Sequence, residues 1–345
     1  MPEAARIGTV QTVLAATLRT PDPETGWFDN GRADRLRYLS LDVSVPPTHE
    51  RGRISNGFAS PNPTRDFTIA ARRDMDTEQS FEARLQSAMA EKPADERDII
   101  LYVHGYNNSF LDGVYRMAQI AHDFELPGVA VHFSWPSAAN PLGYTYDRDS
   151  VLFARDGLER MLRTVAGKTS GEIVLVGHSL GTMLVMETMR QMDIATPGWS
   201  ERELGGVILI SPDLDVDLFK TQADRLARMP QPFAIFVSSR DRALQLSARI
   251  NGAGNRLGNL ADAEALAEYP VTLVDVSEFT TLANAGHFTL GTSPVLISLL
   301  SQSGQLRRTF QRDRAAQAGL LPGTAITVKN ATQLILSPHL ILQDQ

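Results

Sequence analysis

The stretch with the clearest chemical content is Gly177-His178-Ser179-Leu180-Gly181. This G-x-S-x-G pattern directly follows an unbroken apolar run, Ile173-Val174-Leu175-Val176, which reads as a fully buried parallel strand. Beyond it Leu180, Met183, Met186, Met189 and Met192 recur every three residues and are widened by Leu184 and Val185, so the segment reads as a largely buried helix. Strand, tight turn with a serine, then helix is the setting in which this pattern presents a nucleophile. So sharp a turn leaves no room for side chains two residues before and after the serine, hence the glycines. Without chemistry, the same residues would be a turn that merely packs, or one that binds an anion at a helix N-terminus.

A serine hydroxyl is a poor nucleophile until a base takes its proton, and that base needs a third group to hold its tautomer. On an open α/β sheet all three belong at the carboxyl ends of strands. Seven histidines compete for the role of base. His178 lies within the turn itself, His104 belongs to a His-Gly turn that it would brace, and His132 sits inside a strand as a core residue. His49, His122 and His339 have no supporting context. His287, in Asn284-Ala285-Gly286-His287-Phe288, follows the last strand and is the expected base. The expected acid is Asp241, just after the apolar strand Phe233 to Val237; Asp213, after the preceding strand, is the alternative. Asp215 and Asp217 read as caps of a helix from Leu218 to Met229, and Asp275 lies within a strand.

Acyl transfer also requires donors for the developing oxyanion. The backbone N–H of Leu180, next to the serine, is one. The N–H of Tyr106, in His104-Gly105-Tyr106-Asn107-Asn108, is the expected second. Asn107, Phe110, Trp135, Tyr144 and Tyr146 lie near this loop or on the loop that runs through Tyr146, and are candidate pocket walls. Aromatic residues at such spacing equally suit a core.

The elements that must position these groups form a strand–helix alternation from Ile99 onward, the signature of a parallel sheet. Strands are expected at Ile99–Val103, Val129–Phe133, Ile173–Val176, Val207–Ile210, Phe233–Val237 and Val271–Val276. Helices are expected at Leu111–His122, around Val151 to Val165, and from Val295. Before this, Val10–Leu18, Leu39–Val45 and Phe67–Ala71 read as antiparallel strands separated by turns at 20–26 and 29–31, followed by a helix burying Phe81, Leu85, Ala88 and Met89. The expected architecture is α/β: a mostly parallel sheet with helices on both faces, antiparallel N-terminal strands and a minimal cap. Residues 1–310 read as one domain, of which 1–75 are a β extension; 311–345 read as a tail able to form a hairpin, with no chemistry of its own.

Bulk composition narrows the function classes. The chain has 345 residues, 43% hydrophobic, enough for a large core, and its net charge of -7 argues against nucleic acid or anionic membrane as a partner. No apolar stretch reaches the ~18 residues of a membrane span. The opening residues lack a signal-peptide pattern, so the chain as written reads as cytoplasmic, or as periplasmic or exported if a leader has been removed. The absence of cysteine excludes disulfides, thiolate metal sites and a cysteine nucleophile.

Five segments occur in order: His104-Gly105-Tyr106-Asn107-Asn108-Ser109-Phe110, Phe133-Ser134-Trp135-Pro136-Ser137, Gly177-His178-Ser179-Leu180-Gly181, Ser211-Pro212-Asp213-Leu214-Asp215 and Ser239-Arg240-Asp241-Arg242-Ala243-Leu244. Together they resemble a bacterial α/β-hydrolase family of formerly unknown function, grouped with esterases and lipases, over most of the chain. The resemblance implies an α/β-hydrolase fold, a Ser179–Asp241–His287 triad and hydrolysis of carboxylic esters without cofactor or metal. Members often resemble lipoproteins or exported proteins with a leader, a feature this sequence lacks. The leading expectation is a serine carboxylesterase with a small-molecule ester substrate. An amidase or thioesterase with the same triad, and a non-catalytic envelope-associated binding module, are the alternatives.

Overall fold

A computed structural model describes residues 2–57, 60–241, 244, 256–259, 263–277, 325–328 and 331–335. His287, His339 and the helix expected from Val295 lie outside the described residues. The chain divides into two compact units, Met1–Leu175 and Val176–Gln345.

In the first unit a short helix α1 (Ala4–Ile7) precedes β1 (Thr9–Pro21), β2 (Phe28–Val45) and β3 (Thr68–Met75). Then come α2 (Glu78–Ala90), β4 (Ile99–Val103), α3 (Phe110–Asp123), β5 (Val129–Ser134) and α4 (Tyr144–Ala166). The strand order is β4-β5-β1-β2-β3. β1 pairs antiparallel with β2 and parallel with β5, so the first strand joins the antiparallel and parallel halves. β4 and β5, buried at every position, are parallel. Phe81, Leu85, Ala88 and Met89 are the buried face of α2, as their spacing predicts. The start of α3 is fixed by a reciprocal capping box between Ser109 and Asp112.

Two boundaries differ from the sequence reading. Asp29-Asn30-Gly31 is not a separate turn but lies inside β2, where the pairing with β1 shifts register on either side of Arg19. Asp29 Oδ1 accepts the Gly31 N–H, so the local turn chemistry is present as an irregularity within a strand. Tyr144 and Tyr146 lie in the first turn of α4, not on a loop, because the polar Asp147-Arg148-Asp149 belongs to the helix and interrupts its apolar period.

β6 (Ile173–His178) carries the chain into the second unit. There follow α5 (Gly181–Ala195), α6 (Trp199–Glu203), β7 (Leu204–Ile210), α7 (Val216–Ala223), β8 (Phe233–Val237), β9 (Thr272–Asp275), β10 (Ala325–Val328) and β11 (Ala331–Ile335). The order is β7-β8-β9-β11-β10; the first three are parallel neighbours, β11 continues parallel to β9, and β10 returns antiparallel to β11. The methionine stripe of α5 is its buried face. α7 is shorter than expected and begins earlier: Asp215 accepts the N–H groups of Asp217 and Leu218, while Leu226 and Met229 stay buried in turns beyond the helix. Apolar spacing continued where the helix did not.

Candidate active site

Ser179 sits directly between β6 and α5, fully buried, with φ at 51°. A positive φ is uncommon outside glycine and marks the sharp strand-to-helix turn that turns a serine side chain out of line with the strand. Main chain holds it there: its N–H donates to Ile210 O at 2.9 Å, and its carbonyl accepts Thr182 N–H at 3.0 Å and the Thr182 hydroxyl at 2.6 Å. A Cβ at Gly177 would stand 3.1 Å from Thr182 Cα and Val185 Cγ2, a tight contact that favours glycine there. Leu180 is the N-cap of α5, where the first N–H groups of a helix lack partners within it.

The two candidate acids lie on neighbouring strand ends. Asp213, after β7, is buried and its N–H donates to Ser179 O at 3.2 Å. Its carboxylate faces the half-buried Arg256, with Nε 3.4 Å from Oδ1, a charge contact without hydrogen-bond geometry. Asp241, after β8, is also buried; its N–H donates to Ser238 O, and its Oδ1 accepts the Leu244 N–H at 3.2 Å. Residues 256–259 strap these loops together: Leu257 N–H donates to Leu214 O, Gly258 N–H to Pro212 O, and Ser238 N–H to Gly258 O, at 2.8–2.9 Å. A Cβ on Gly258 would fall 2.8 Å from Pro212 N and Ser211 C, so the strap needs glycine there. Sequence reading missed Arg256, whose neighbourhood carries no motif.

In the first unit, His104 is buried and braces its loop as expected. Its Nδ1 lies 2.8 Å from Gly105 O and its Nε2 3.1 Å from Trp135 O, with Ser134 Oγ at 3.5 Å, so both ring nitrogens face backbone carbonyls. Burial, aided by the charge of Arg19, holds its pKa well below the ordinary imidazole value. Trp135 stacks on His104 at 4.8 Å and donates Nε1–H to its carbonyl, so this candidate wall is fully buried. Phe110 is likewise buried, against Trp27 and Phe28. Tyr106 is partly exposed, donates its hydroxyl to Pro141 O and meets the Tyr144 ring edge-on. Asn107 has φ at 56° and donates its N–H to Asp147 Oδ2.

Two buried charges organise these loops. Arg19 donates to Ser134 Oγ and to the carbonyls of Asn108, Ser137 and Asp29. Burial lowers its pKa to about 10, which leaves it charged at neutral pH. Asp147 accepts from the Ser137 hydroxyl and from the N–H groups of Ala138 and Asn107; burial raises its pKa against these bonds.

Residues 77–303 match the model of a family described as alpha/beta hydrolase of unknown function (DUF900), a span that contains Ser179, Asp213, Asp241 and His287. The chain belongs to this family. It has the alpha/beta-hydrolase fold, with a mostly parallel sheet and antiparallel N-terminal strands. No curated protein matches it in sequence. Among solved structures it is similar to a dienelactone hydrolase from Anabaena variabilis, at 11% identity and a TM-score of 0.38, covering 79% of this chain and 90% of that one. It is also similar to carboxyl esterase 2 from Tuber melanosporum (13% identity, TM-score 0.38, 87% and 88% covered). An esterase from Pyrobaculum calidifontis is at a like distance (13%, 0.36, 70% and 95%). At such distances these likenesses carry nothing about substrate.

One group that the sequence left without context gathers ahead of and within the matched region: His49, His122 and Asp123 lie together in the first unit of this hydrolase.

Proposed function

We propose that this alpha/beta hydrolase is a serine carboxylesterase that cleaves short- to medium-chain carboxylic esters through an acyl-enzyme on Ser179. The observation that carries the reading is the buried serine with φ at 51° at a strand-to-helix turn, with a glycine two residues before it where a side chain would be crowded. In this reading Ser179 Oγ attacks the ester carbonyl as His287 takes its proton, and the tetrahedral intermediate expels the alcohol, which receives that proton. Water, deprotonated by His287, then attacks the acyl carbon; the carboxylic acid leaves and the proton returns to Ser179. Asp241 orients His287, and the N–H groups of Leu180 and Tyr106 serve the oxyanion. Asp241, buried on the segment after β8, is the acid in this reading, with Asp213 after β7 as the alternative. α7 is the one helix between β7 and β8, which supports an uncapped site and small acyl groups.

The test is turnover of nitrophenyl esters of graded acyl length, alongside amide and thioester analogues. The wild type should hydrolyse butyrate faster than palmitate, and Ser179→Ala should lose roughly a millionfold in kcat. Asp241→Asn should lose about ten-thousandfold and Asp213→Asn far less; the reverse order would move the acid to Asp213. A higher kcat/KM on the amide or thioester would reassign the substrate class. No turnover, or a mutant as active as wild type, would sink the reading.

A further inference from the structure

Three residues from two segments distant in sequence converge on one point of the first unit. His49 lies on the connection between β2 and β3, and His122 and Asp123 form the last turn of α3. His49 Nε2 lies 2.6 Å from Asp123 Oδ1, and His122 Nδ1 lies 3.1 Å from the same oxygen. The three ligand atoms all fall within 4.8 Å of one another. The two imidazoles meet edge to face at 5.2 Å, so their nitrogens reach the carboxylate from different directions.

We propose that His49, His122 and Asp123 form a binding site for a divalent transition-metal ion, zinc first, that pins the 49–52 loop to the end of α3. Two neutral imidazole nitrogens and a carboxylate oxygen are a donor set that suits zinc, nickel or cobalt over magnesium or calcium, which prefer all-oxygen shells. Ligand atoms about 2.0–2.2 Å from a tetrahedral zinc stand about 3.4 Å apart. The carboxylate–imidazole separations of 2.6 and 3.1 Å must open by less than an ångström, and the two imidazole nitrogens, within 4.8 Å of each other, must close by at most about 1.4 Å.

The surroundings are built to hold the carboxylate still. Its second oxygen, Oδ2, accepts the Gly52 N–H at 2.7 Å and Gln119 Nε2 at 2.5 Å, and Gln119 is itself held by Arg116 at 2.8 Å. Such outer partners fix ligand orientation in metal sites. The loop also docks on the same helix end through Arg51 and Glu125 at 3.5 Å, so the site does not depend on the ion for its assembly. Asp123 is fully buried and the His49 side chain nearly so, whereas His122 is 30% exposed. A bare hydrogen-bonded cluster is the competing account.

Calorimetric titration of the chelator-stripped full chain with zinc chloride, paired with melting curves, separates the two. The metal site requires one zinc per chain bound here, with a melting temperature raised by several degrees as zinc is added. His122→Gln, on the solvent side, should fold normally and weaken zinc roughly a hundredfold, and Gln119→Ala should weaken it about tenfold. Cobalt should give the visible absorption of a four-coordinate ion in wild type, lost in His122→Gln. No zinc bound, or binding and cobalt spectrum unchanged by His122→Gln, would overturn the proposal.

Discussion

In the first unit the segments that follow β4 and β5 are held by side chains, whereas in the second the segments that follow β6, β7 and β8 are held by main chain. Arg19 alone gathers three carbonyls and a hydroxyl, from Asp29, Asn108, Ser134 and Ser137, and Asp147 gathers two N–H groups and a hydroxyl. Around Ser179 the equivalent work is done by backbone pairs: Ser179 to Ile210, Asp213 to Ser179, and the strap at 256–259. A loop held by one guanidinium can be released by one substitution. A loop held by peptide groups tolerates most side-chain changes and fails where a new Cβ intrudes.

The sharpest way to break this contrast is Arg19→Met. It leaves buried carbonyls without donors and Asp147 without its nearby positive charge, so unfolding free energy should fall by about 3–5 kcal/mol in urea titrations. Arg19→Lys should recover little, since an ammonium lacks the fork that reaches four acceptors. The matching probe of the second unit is Gly258→Ala. Its Cβ would press on the Ser211-Pro212 backbone and on Leu244 Cδ1, for a loss of about 1–3 kcal/mol. If Arg19→Met proved the milder of the two, the distinction would fail.

A smaller and graded effect should follow pH. His104 and His132 are fully buried, and burial lowers both pKa values, that of His132 to about 3. Unfolded imidazoles bind protons near pH 6.5, so these two contribute full stability above that value and lose it as pH falls toward the folded pKa. Each should cost about 1.4 kcal/mol per pH unit below 6. His132→Gln should remove one imidazole's share of the slope measured between pH 6 and pH 4; an unchanged slope would deny His132 its part.

The same contrast explains what could be read in advance. The turn around Ser179 was legible because a backbone-defined feature demands residue types at fixed spacing: glycines at 177 and 181, an apolar strand before, an apolar period after. The parallel alternation was legible for the same reason. Arg19, Arg256 and the His49–His122–Asp123 cluster were not, since each joins segments far apart in sequence through side chains. The β1–β2 irregularity misled because Asp29-Asn30-Gly31 carries turn chemistry that a long strand can absorb. α7 misled because buried turn residues prolonged an apolar period beyond the helix.

Ser179 itself has a consequence for how this position must vary. At φ of 51° an L-residue is disfavoured by roughly 1–2 kcal/mol, a penalty glycine does not incur. Selection for a stable fold alone would therefore drift position 179 toward glycine. A serine at that angle costs stability relative to glycine, and under the proposed function the hydroxyl is what that cost serves.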